Sequence, residues 1–93
     1  MATIDVACTG PGTFRVEVRE GSGSTAHVVR ASDEQLRRYG GQADPEGLLR
    51  ASFEFLLERE PKEAILRSFE LPVIERYFPE YARAMRARGP SGS

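Results

Sequence analysis

A chain of 93 residues with 13 cationic and 14 anionic side chains has a formal net charge of −1, which argues against a general polyanion binder. Cys8 is the single cysteine, so no internal disulfide can form, and a reducing, cytoplasmic setting is expected. No signal peptide and no apolar run long enough to span a bilayer can be read, so no membrane association is expected. The length suits one domain that buries roughly two-thirds of its unfolded surface. Twelve of the thirteen cations are arginine, with Lys62 the exception, a bias we read as the codon usage of a GC-rich genome. No internal repeat is present.

The first third has the period of strands. Ile4, Val6 and Cys8 alternate with Thr3, Asp5 and Ala7, and Phe14, Val16 and Val18 alternate with Arg15, Glu17 and Arg19. A third strand is expected over 25–31, after the GSGS turn at 21–24. A turn centred on Ser22 and Gly23 sets Val18 opposite His27, Val16 opposite Val29 and Phe14 opposite Ala31. A five-residue loop, Thr9 to Thr13, sets Cys8 opposite Phe14, Val6 opposite Val16 and Ile4 opposite Val18. These rows give a three-stranded antiparallel meander with one apolar and one wet face. In this register Cys8 lies on the apolar face and is expected to be shielded.

Helices follow. Ser32 and Gln35 fit a capping box for a short helix over 33–39, which Gly40 ends. Asp44 and Pro45 start a longer helix as N-cap and first helical residue. At about 100° per residue, Leu48, Leu49, Phe53, Phe55, Leu56 and Leu57 span a wide arc, and Arg50, Glu54 and Glu58 form the remaining stripe. So wide an arc needs partners on two sides, which makes this helix a central layer. Pro61 ends it. A next helix is expected over 62–69, with Ile65, Leu66 and Phe69 on one side and a Glu63–Arg67 pair on the other. Pro72 and Pro79 then divide the stretch from Leu71 to Met85 into short turns bearing Val73, Ile74, Tyr77, Phe78 and Tyr81. The expected architecture is α+β: the meander (1–31), a short helix (32–40), a central helix (44–60) and short helical segments (61–88) packed on one sheet face, in a single domain over 1–88. Residues 89–93, GPSGS, read as a disordered tail.

No catalytic, metal or cofactor site emerges. Cys8 and His27 invite a nucleophile–base reading, but the expected register puts them four rows apart, about 13 Å at 3.3 Å per residue. One His and one Cys cannot close a zinc site. Gly10, Gly12, Gly21 and Gly23 open no helix, so they are hairpin turns and not a phosphate loop. Arg15, Arg19 and Arg30 share the wet sheet face, Arg15 opposite Arg30, with Asp5 and Glu17 diagonal to them. With Arg83, Arg86 and Arg88 they offer an alternative nucleic-acid-binding or regulatory surface, one without the exposed aromatics of a sheet that reads RNA.

The segment YFPEY offers the other surface. Tyr77, Phe78 and Tyr81, with Ile74, are of the type enriched at protein interfaces, and Tyr77 and Tyr81 are expected at its rim. Phe55 and Leu48, on the far flank of the central helix, must be covered by 72–85 or by another molecule. The run FLLEREPKEAILRSFELPVIERYFPEY, with the hairpin before it, resembles a signature of short, uncharacterised bacterial proteins. The resemblance covers most of the chain and implies a bacterial source, with no activity and no catalytic residue. The expectation is therefore a small non-enzymatic domain acting through a protein partner or self-association, with a homodimer as the form self-association would take.

Overall fold

Two tight turns organise the N-terminal third of the computed structural model, which describes residues 2–88. Strands β1 (Thr3–Gly10) and β2 (Thr13–Glu20) are joined by Pro11 and Gly12. Gly12 has φ 68°, the left-handed position that follows proline in a type II turn. A side chain there would also meet the Ala31 carbonyl oxygen at 3.0 Å. A bulge between Cys8 and Gly10 takes up the odd residue, and Ile4 faces Val18, Val6 faces Val16 and Cys8 faces Phe14, as expected.

The next turn corrects the expected register. It is made by Gly21 and Ser22, with Gly21 at φ 60°, the first central position that a type II′ hairpin reserves for glycine. Strand β3 (Gly23–Arg30) therefore pairs Val18 with Thr25, Val16 with His27 and Phe14 with Val29. The shift is two residues, so every side chain keeps its face and changes its row. His27 moves from the end of the inner face to its middle, and Arg15 lies opposite Val28 instead of Arg30.

A larger correction concerns residues 62–69. They form no helix beyond one 3-10 turn, Lys62–Ala64, and Ser68–Glu70 is a strand, β4, running parallel to β3. The sheet is thus four-stranded and mixed, in the order β1-β2-β3-β4. Bounded by Pro61 and Pro72, an eight-residue helix had little intrinsic stability, whereas β3 had a row of unpaired backbone groups to satisfy. Val28 N–H donates to the Arg67 carbonyl at 2.8 Å, and Leu71 N–H to that of Arg30 at 2.9 Å. The expected Glu63–Arg67 pair is replaced by Glu63–Lys62 at 2.9 Å.

The helices all pack on one sheet face. The first, α1 (Asp33–Arg38), has the Ser32–Gln35 capping box in both directions. The second, α2 (Pro45–Leu57), is capped by Asp44 and buries Leu48, Leu49, Phe53, Phe55 and Leu56, while Arg50, Glu54 and Glu58 stay exposed. Its two flanks are covered as the arc requires. On one, Phe53 stacks on His27 (centroids 5.2 Å) and Phe69 (6.2 Å). On the other, Phe55 meets Phe78 of the α3–α4 connection at 5.9 Å and Tyr81 at 5.4 Å, where α3 is Val73–Tyr77 and α4 is Tyr81–Ala87. That flank needs no second molecule. Arg86 of α4 donates twice to the Arg38 carbonyl, at 3.0 and 2.8 Å, so a cation occupies the negative end of α1.

His27 places an imidazole inside this core. It is fully buried, and one ring nitrogen, Nδ1, lies 2.8 Å from the Leu66 carbonyl. A carbonyl only accepts, so Nδ1 carries the proton, and Nε2 accepts from the Thr25 hydroxyl at 2.8 Å. Burial pushes the imidazole below its ordinary value near 6.5; the Leu66 bond opposes this and the Arg67 charge adds to it. The unfolded chain therefore takes up a proton at higher pH than the folded one. Stability should be level above about pH 6.5 and fall as the pH drops from there towards the folded-state value. Urea midpoints at pH 7.5 and 5 check this, and a His27→Gln variant that kept the same pH slope would show another group is responsible.

Candidate apolar groove

The C-terminal end of α2, the Ala64–Leu66 bend, Phe69 of β4 and helix α3 do not close on one another. They leave a groove of about 220 Å³ lined by Leu56, Glu60, Ala64, Ile65, Leu66, Phe69, Val73, Ile74, Tyr77 and Phe78. Each element contributes for a local reason. Pro61 turns the chain away from α2 and into the 3-10 turn. The β3 ladder then draws Arg67 to Glu70 into the sheet, which leaves the Leu66 side chain outside, 46 % exposed. Pro72 begins α3, whose Ile74 points inwards while Tyr77, at its last turn, stands 67 % exposed. Tyr77, Leu66 and Val28 are the large hydrophobic side chains exposed among the described residues, and two of the three border this groove. Glu60 is its single charged lining residue.

Ile74, Tyr77 and Phe78 are thus brought together at the groove: Ile74 as its buried floor, Phe78 half-buried, Tyr77 at the lip. Tyr81 is not with them, and its expected place at a rim is corrected. It is fully buried, its ring 4.9 Å from Tyr39 and its hydroxyl 2.6 Å from Ser52 Oγ. Ser52 gives its one proton to the Leu48 carbonyl at 2.7 Å, so Tyr81 donates to Ser52. Burial pushes the Tyr81 phenol far above its ordinary range; the Ser52 hydrogen bond opposes this, and the charges of Tyr39 and Glu75 add to it. Tyr39 is pushed up to about 12 by burial and by Glu75, which accepts its hydroxyl proton at 2.8 Å.

Leu66, Ala64 and Glu60 were not singled out by the sequence as site residues. The signal for their placement was there in SFEL at 68–71, where Phe69 and Leu71 alternate with Ser68 and Glu70 at strand period.

The other candidates are dispersed. Arg15, Arg19 and Arg30 lie on the open sheet face with three carboxylates, Asp5, Glu17 and Glu70. Arg19 is bonded to Asp5, Arg30 stands beside Glu70, and Arg15 is diagonal to Arg30. Cys8 is exposed, with its thiol donating to the Gly10 carbonyl at 3.2 Å, so the shielding expected for it is absent. Strand β2 separates it from His27 by about 10 Å across the sheet, and both His27 nitrogens are engaged. Among the described residues no group of three or more His, Cys, Asp or Glu side chains could hold a metal ion, and no helix is long and apolar enough to cross a membrane. No protein-family model, curated protein or solved structure matches this chain.

Proposed function

We propose that this is a small non-enzymatic interaction domain, and that the groove between α2, β4 and α3 receives an apolar side chain of a protein partner. The observation that carries the reading is the pairing of a concave apolar surface with Tyr77 and Leu66 left in water at its lip. Exposed aromatic and aliphatic groups around a preformed pocket are the usual anchors of protein association. A role in nucleic-acid binding through Arg15, Arg19 and Arg30 draws less support, because an equal number of carboxylates shares their face.

A photo-cross-linking residue at position 66 tests the proposal in cells that express the protein. A discrete adduct that disappears when Ala64→Trp fills the groove is the expected result. An absence of any protein adduct at this position would overturn it. The adduct's mass reports whether the partner is a second copy or another chain.

A further inference from the structure

We infer that the occupant of the groove is Tyr77 of a second copy of this chain, in a twofold-symmetric dimer. The inference rests on the groove being the binding surface and goes on to name what fills it. A twofold interface is self-complementary, so one patch must carry both a projection and a hollow that fits it. This patch does. Tyr77 is the most exposed large hydrophobic side chain among the described residues, and it stands at the lip of the hollow. A cavity of roughly 150 Å³ is enough to hold a benzene ring, so about 220 Å³ admits a phenol with its hydroxyl directed to the mouth.

The charges fit as well. Arg76 precedes Tyr77 on α3 and is exposed, and Glu60 is the one charged residue of the groove wall. Neither takes part in an ion pair within the chain among the described residues. Exchange of the two tyrosines carries each Arg76 to the partner copy's groove, where Glu60 supplies the opposite charge. Two Tyr77 anchors and two Arg76–Glu60 pairs then form about one axis. The pairing covers Leu66 at the lip of both grooves and leaves the balanced sheet face open.

Sedimentation velocity on the full chain tests this across a concentration series. Wild type should dimerise, and Tyr77→Ala should weaken the dimer at least tenfold, the loss expected for a buried aromatic anchor. Arg76→Glu alone should weaken it by placing like charges together, and Arg76→Glu combined with Glu60→Arg should restore it. These surface changes leave the core intact, which circular dichroism verifies for each variant. A wild-type protein that stays monomeric to about 1 mM, a range in which even weak contacts register, overturns the dimer. It leaves the groove reading standing if position 66 still cross-links to another protein. A wild-type dimer indifferent to Tyr77→Ala, or one that the double charge exchange fails to restore, overturns the proposed contact.

Discussion

Replacing Phe53 with alanine should destabilise the protein by about 3–5 kcal/mol. The ring is fully buried at the middle of α2 and lies against rings from two strands, His27 of β3 and Phe69 of β4. Such a vacancy is costly in proportion to how little its walls can close on it. Here one wall is held by two hydrogen bonds to His27 and another by the β3–β4 ladder. Urea unfolding at pH 7.5 gives the value. A loss below about 1 kcal/mol, within the range of an ordinary surface change, would show that α2 is not the centre of the core.

The second large effect belongs to Tyr81, and its contrast with Tyr77 is the informative part. Tyr81→Ala removes a ring packed between Tyr39 and Phe55 and should cost about 3–5 kcal/mol. Tyr81→Phe keeps the ring and loses one hydrogen bond to Ser52. Because Ser52 still donates to the Leu48 carbonyl, the cost should be only about 1 kcal/mol. Tyr77→Ala, on a side chain that stands mostly in water, should change monomer stability by no more than about 0.5 kcal/mol. Equal effects at positions 77 and 81 in unfolding experiments would mean that the two tyrosines share one environment, contrary to this fold.

These two residues also show where the sequence was informative and where it was not. Tyr77 and Tyr81 are four apart and look equivalent on a helical wheel. What separates them is Pro79, which breaks the helix so that Tyr81 begins α4 and turns into the core towards Ser52. A buried serine partner 29 residues upstream leaves no local mark. By contrast, Asp44 and Pro45 announced α2, and the apolar arc of Leu48 to Leu56 announced its burial, because capping and periodicity are written within a few residues. The β1–β2 register followed from alternation together with the odd length of the Thr9–Thr13 connection. The β2–β3 register did not, since GSGS offers two glycines to the turn and both choices keep the apolar residues inward. Residues 62–69 misled for a different reason. Ile65, Leu66 and Phe69 have helical spacing, and the competing demand came from the unpaired edge of β3, which is distant in sequence. The groove depends on that strand, so it was only half legible: Ile74, Tyr77 and Phe78 stood out, whereas Leu66 and Glu60 were marked only indirectly, by the strand period of Phe69 and Leu71.

The parallel placement of β4 carries a consequence for how the chain reaches this structure. β1, β2 and β3 meet through two-residue turns and can zip within microseconds. β4 joins only after α1 and α2 have been laid down between it and β3; the His27–Leu66 bond closes a separation of 39 residues. Ring closure over that span carries a larger entropic cost and earns no contacts until it is complete. The sheet should therefore grow in sequence order, with its last edge set by helix docking. In a pulse-labelling experiment during refolding, the Val28 amide, which bonds to the Arg67 carbonyl, should gain protection later than the amides shared by β1 and β2. Simultaneous protection would mean that α2 and the whole sheet condense in one step. On the ordered route, the groove and its tyrosine lip are the last part of the molecule to take shape.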